Sequence, residues 1–162
     1  MEIVVFLCEN SIEGILTGVY DAWAEALSSG LGHARCRLQT ELLQPELFCT
    51  YRETAPDMEK AGKVIRTLRK RLGEEVYECL CYAMASREPD KAEAVYKTIV
   101  AGLSMKQGYR VLDKVTDPYV ARCFDLKRNV GSEIHRELEF LRFQELQSGV
   151  LLAKIHPKND VL

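Results

Sequence analysis

The sequence predicts an α+β domain, a small and mostly antiparallel sheet packed with about five helices. Three observations carry this expectation. A short run rich in Ile, Val and Phe opens the chain at residues 2–8. From residue 55 onward, long stretches place apolar residues at helical spacing. Glycines, prolines and capping residues then divide those stretches into lengths ordinary for helices. The 162 residues suit a single domain, 1–162, large enough to bury a core without cross-links.

Taken in order, Glu2 to Cys8 reads as a buried strand. Asn10 is the expected N-cap of the first helix, with Glu13 three residues on completing a capping box. That helix puts Ile12, Ile15, Leu16, Val19, Trp23 and Leu27 on one face, and Gly30 and Gly32 end it. Residues 34–40 and 47–52 are two short strands separated by a segment containing Pro45. A helix over residues 55–72 stops at Gly73, and a second covers residues 74–85. Asp90 caps a third, which runs to Gln107 before Gly108. Asp117-Pro118 starts the longest pattern, a cap followed by proline at the first helical position. It runs to about Gln147, with Gly131 as a candidate break. Gly149 stops it, and Val150 to Ile155 is expected to return as a strand to the first sheet.

Hydrophobic residues make up 47% of the chain and charged residues 28%, the balance of a soluble globular protein. No apolar run reaches the roughly 18 residues of a spanning helix. The opening MEIVVFLCEN lacks a basic leader and a cleavage site, so a cytoplasmic location without membrane contact is expected. The six cysteines form no CxxC pair and lie mostly in apolar patterns, which points to buried thiols rather than disulfides or zinc. Charge is unevenly spread. Residues 1–60 carry four Lys/Arg against ten Asp/Glu, whereas residues 61–162 carry eighteen against fourteen. Such asymmetry points to an anionic partner for the basic part.

The clearest basic feature is the run from Lys60 to Arg71, with six cations and no carboxylate: Lys60, Lys63, Arg66, Arg69, Lys70 and Arg71. Lys63, Arg66 and Lys70 share one helical face, opposite Val64, Ile65 and Leu68. A stripe of this kind tracks a phosphate backbone, or else is a solvated face whose cations favour the helix C-terminus. A second feature is the stretch NVGSEIHRELEFLRF, residues 129–143. As a helix it has an apolar seam of Val130, Ile134, Leu138 and Leu141. Arg128, Ser132, His135, Glu139 and Arg142 lie beside the seam, and Glu133, Arg136, Phe140 and Phe143 lie on another flank. His135 with Glu139 makes either an oriented imidazole–carboxylate pair suited to general-base work or an ordinary helix pair.

No phosphate-cradling glycine loop, HExxH, GxSxG or metal-ligand spacing occurs around His33, His135 or His156, so no metal and no cofactor is expected. His33 and His156 read as surface residues. Tyr51, Tyr77, Tyr82, Tyr96, Tyr109 and Phe124 offer faces for base stacking, although aromatics at helical spacing more often fill a core.

The chain resembles a family of small bacterial proteins described as DNA-metabolism or DNA-repair proteins, which contain a domain of otherwise unknown function. The resemblance spans nearly the whole chain. It rests on the first strand followed by SIEGILTGVYDAW, on VIRTLRKRL, on NVGSEIHRELEFLRF, and on GVLLAKIHPKNDVL. The motif positions are held by Gly131, Glu133, His135, Arg136, Phe140, Arg142 and Phe143, and by Asn159, Val161 and Leu162. The resemblance implies work on DNA beside a radical-SAM protein encoded nearby; in larger relatives the domain is fused to a uracil-DNA glycosylase. Relatives continue past the final Asn-x-Val-Leu through a further helix and strands, which this chain is expected to lack.

Three functions are therefore expected in order. The first is an accessory protein of DNA metabolism or repair, with a radical-SAM partner and with DNA, single-stranded DNA being a candidate form. It would bind through Lys63, Arg66, Arg69, Lys70 and Arg71, aided by Arg128, Arg136 and Arg142. The second is an enzyme acting on a nucleobase or nucleotide, with His135, Glu133 and Glu139 handling protons. The third is an interaction scaffold that docks a partner through Phe140 and Phe143.

Overall fold

A buried strand near the N-terminus organises the first half of the molecule. The computed structural model describes residues 2–161. In it the chain runs β1 (Ile3–Cys8), α1 (Ile12–Ser29), β2 (Cys36–Gln39), β3 (Cys49–Thr54), α2 (Met58–Arg71) and α3 (Glu74–Ala85). It continues through α4 (Lys91–Ser104), α5 (Pro118–Phe140), β4 (Phe143–Glu145) and β5 (Leu151–Ala153). Leu162, one of the residues carrying the family resemblance, lies outside the described residues.

The main sheet has the order β2-β1-β3, and both neighbours run parallel to β1. This corrects the antiparallel expectation. Val4 faces Cys36 on one side and Thr50 on the other. The two central segments do not fold back on one another as a hairpin; they flank β1, and residues 40–48 carry the chain back to the start of β3. The cause is visible in β1, where Val4, Val5 and Phe6 are buried in succession. Burial on both faces is the mark of a strand inside a parallel sheet.

Helix α1 packs on β1 and β2, and α4 packs on β2. The approach of α1 to β1 is close: a Cβ at Gly18 would stand 2.1 Å from the Cys8 sulfur. The helix is capped by Ser11, not Asn10, and the Ser11 hydroxyl accepts from the Gly14 amide at 3.0 Å. Asn10 has a different task. Its side-chain oxygen accepts from Lys91 Nζ, whose other protons go to the carbonyls of Met84 at 2.8 Å and Ser86 at 2.7 Å. Lys91 is buried, and its burial pulls its pKa down. Three acceptors match the three N–H donors of an ammonium, so this group ties the start of α4 to the end of β1.

His33 is also not the surface residue expected. Its ring packs on Trp23 with centroids 4.1 Å apart, and Nδ1 lies 2.8 Å from the hydroxyl of buried Tyr96. Burial, and then the charge of Lys97, pull its pKa down. Leu27 departs the other way, 71% exposed at the end of the face expected to be buried.

The second half is helical. Helix α3 covers the expected residues, and α4 stops at Ser104, before a 3-10 turn over Gly108–Asp113. Helix α5 begins at Pro118 as expected, with the Asp117 carboxylate accepting from Tyr119 N at 2.8 Å. It passes Gly131 without a break and ends at Phe140, short of Gln147. Its seam is buried at Val120, Cys123, Leu126 and Val130, but Leu138 and Phe140 are exposed. With Leu138 and Phe140 of the last turn in solvent, little apolar burial favours a longer helix, and Leu141 turns extended. Then β4 and β5 pair antiparallel as a separate hairpin, Phe143 opposite Ala153, with Gly149 in the left-handed region at φ 79°. The last strand therefore does not rejoin the first sheet, another correction. No helix of the described residues is long and apolar enough to cross a membrane.

Candidate nucleic-acid interface

Helix α2 is held from its first turn. The Asp57 carboxylate caps it by accepting from Glu59 N at 2.9 Å and Lys60 N at 3.1 Å. Ala61, Val64 and Leu68 lock the inner face into the core. The spacing that buries these three leaves Lys63, Arg66, Arg69, Lys70 and Arg71 exposed. Half of the expected cations are already paired. Lys60 meets Asp21 at 2.8 Å, Lys63 meets Glu59 at 3.2 Å, and Arg69 meets Glu74 at 3.1 Å. The bond to Asp21 raises the Lys60 pKa. The Arg69 guanidinium also lies 4.7 Å from the Tyr77 ring centroid. Arg66, Lys70 and Arg71 have no ion-pair partner among the described residues.

Beside α2 runs a groove of about 440 Å³. Lys63, Thr67 and Arg71 form its rim on α2, and Tyr20, Trp23 and Leu27 of α1 form the facing wall. Val64, Leu68, Ile99 and Leu103 provide an apolar floor. Sequence reading assigned Trp23 to the core and passed over Tyr20. The helical face of α1 held the signal for both, but only the packing of α2 across it makes a groove.

On α5 the expected residues separate. Glu133 is buried, and its carboxylate accepts from the backbone amides of Lys158 and Asn159, the latter at 3.0 Å, and from the Asn159 side chain. Chiefly the Lys158 amide holds its pKa below the carboxylate range. Asn159 in turn accepts from Arg87 N at 2.9 Å, and Asp160 N donates to the Ala85 carbonyl at 2.8 Å. Glu133 thus anchors the chain's last segment to α5 and to the end of α3. His135 sits elsewhere, with Nε2 3.0 Å from Glu139 and both side chains exposed. It edges a broad, open depression with Phe124, Arg128 and Ser132. Arg128 pairs with Asp125 at 2.9 Å, while Arg136 and Arg142 are exposed. His135, Glu133, Arg136 and Arg142 therefore do not meet in one pocket. Helix α3 packs against both α2 and α5, which carry the two sets of cations.

Phe140 is 72% exposed and Phe143 61% exposed. Of the tyrosines considered for stacking, Tyr96 is fully buried, and Tyr109 is exposed in the 3-10 turn after α4. The six cysteines are free, and Cys8, Cys36, Cys79 and Cys123 are buried. Burial pushes the Cys8 and Cys123 thiols up to about 12, so neither offers a thiolate. Among the described residues no cluster of three His, Cys, Asp or Glu is placed to hold a metal ion.

Comparison with known proteins adds one match. Residues 89–162 match the model of a domain of unknown function, DUF4130. This region begins just before α4 and includes α5 and the β4–β5 hairpin, while the three-stranded sheet and α2 lie outside it. No curated protein and no solved structure matches the chain.

Proposed function

We propose that the chain is an accessory protein of DNA metabolism or repair that binds nucleic acid through the exposed face of α2. The observation that carries this reading is the set Arg66, Lys70 and Arg71, three exposed cations on a rigidly held helix with no ion-pair partner among the described residues. Paired cations gain little by meeting phosphate, because they must first give up a carboxylate. Unpaired ones gain the full release of counterions. Family resemblance supplies the radical-SAM protein as the partner in this reading.

Binding of labelled DNA, measured as a function of salt, tests it. Affinity should fall steeply between about 50 and 200 mM salt. Replacing Arg66, Lys70 and Arg71 together by alanine should lower the log–log slope by roughly two to three, at about 0.7–0.9 per phosphate contact. Absence of affinity at low salt, or an unchanged slope in the triple variant, would overturn the reading.

A specific observation also favours docking of a protein partner. The end of α5 and the hairpin expose Leu138, Phe140, Phe143, Val150, Leu151 and Leu152, each residue more than half exposed. Large apolar residues exposed in such number on neighbouring elements suit an interaction site.

A further inference from the structure

The groove between α1 and α2 combines two features that phosphate binding alone does not need. Its rim carries Lys63 and Arg71, two turns apart on α2 and so about 12 Å from one another along the helix. Its opposite wall presents Tyr20 and Trp23, and its floor is aliphatic, with Val64, Leu68, Ile99 and Leu103 offering no hydrogen-bonding group. The aromatic wall is braced. His33, which does not line the groove, packs on Trp23 at 4.1 Å, and its own ring is tied to the Tyr96 hydroxyl. Tyr20 has the Lys60 and Lys63 ammonium groups 5.6 and 5.9 Å from its ring centroid. Aromatic faces and cations are thus within one side chain's reach of each other.

We infer that this groove takes the unpaired bases of a single-stranded nucleic acid, with the phosphates held by Arg71, the rim cation that has no ion-pair partner among the described residues. This rests on the reading of α2 as a phosphate-binding face, and it names the form of nucleic acid that the face serves. A duplex keeps its bases stacked inside and has none to lay into a groove walled by helices. A single strand offers a base face at every residue, and aromatic walls accept it regardless of sequence. An apolar floor without donors or acceptors has nothing to read a base edge with. The site is therefore selective for strandedness and tolerant of sequence.

Trp23 is the single tryptophan of the chain, so its emission reports directly on the groove. The whole chain is titrated with oligothymidylate, with a blunt hairpin duplex carrying the same number of phosphates, and with an acidic peptide of alternating Leu and Glu. The expected result is that oligothymidylate quenches Trp23 and binds about tenfold or more tighter than the duplex, the scale of one or more stacked bases. Ala24→Leu and Thr67→Leu, both at exposed groove positions, should bring the single strand down to duplex affinity with the salt slope unchanged. Equal binding of strand and duplex with unchanged Trp23 emission overturns the inference, while a surviving salt slope leaves the α2 reading intact. If the peptide alone alters the emission, the groove serves a protein and the inference fails. Loss of salt-dependent binding to both nucleic acids removes the α2 reading and this inference together.

Discussion

Glu133 and His135 are two residues apart on α5, and a helix turns roughly 200° between such positions. One therefore points into the protein and the other into solvent. Glu133 is surrounded by three N–H donors, from Lys158, Asn159 and the Asn159 side chain. Glu133→Gln would turn an amide NH2 toward these donors and leave some unsatisfied, at a cost of about 1–3 kcal/mol. Faster amide exchange at Lys158 and Asn159 is the expected signal; exchange at the wild-type rate would show that Glu133 anchors nothing. Because the folded carboxyl titrates below its ordinary value of 4.5, its contribution is complete above that pH. It is lost as the pH falls through the lower folded value, so the Gln variant should lack this acid-induced loosening of residues 157–160. The residue type and helical position of Glu133 were legible in the sequence. Its partners lie 25 and 26 residues further on, and no local pattern announces them.

At the scale of elements, the start of α5 was more legible than its end. That start is set by adjacent residues, Asp117-Pro118, where the Asp117 carboxylate accepts from the amides two and three positions on, whereas α2, expected from residue 55, begins at Met58 behind the Asp57 cap. The end of α5 depends on what packs against its last turn, which the alternation of apolar residues does not reveal. The contact between α1 and β1 is equally non-local. Gly18 is helical, and a methyl group there would collide with the Cys8 sulfur. Gly18→Ala should therefore destabilise the protein by about 1–3 kcal/mol, despite alanine's better helix propensity. Thermal unfolding reads this as a fall of roughly 2–4 °C per kcal/mol for a chain of this size. A rise in melting temperature would mean that α1 is not seated on β1 as described.

For the whole molecule, the contrast is between a packed body and a hairpin that pairs chiefly with itself. Substituting Phe140→Ser and Phe143→Ser should change stability by less than about 0.5 kcal/mol, because both side chains are mostly in solvent. The same pair of changes should abolish co-purification with a radical-SAM partner if this surface docks it. Retention of the partner by the double variant, with unaltered thermal unfolding, would exclude these two residues as its anchor.

The sequence by itself determined the mixed composition of the fold, the positions of most helices, the burial of four of the six thiols, and the run of cations on α2. All of these follow from side chains within a few residues of one another, through periodicity, capping and propensity. Only the tertiary structure decided that the sheet is parallel, that the last strand turns back on β4, and that Glu133 and His135 face apart in use as well as in direction. It also set Tyr20 and Trp23 opposite the cations of α2. Each of these depends on which distant surfaces meet, and that is settled by burying apolar area across the whole chain rather than by any local spacing.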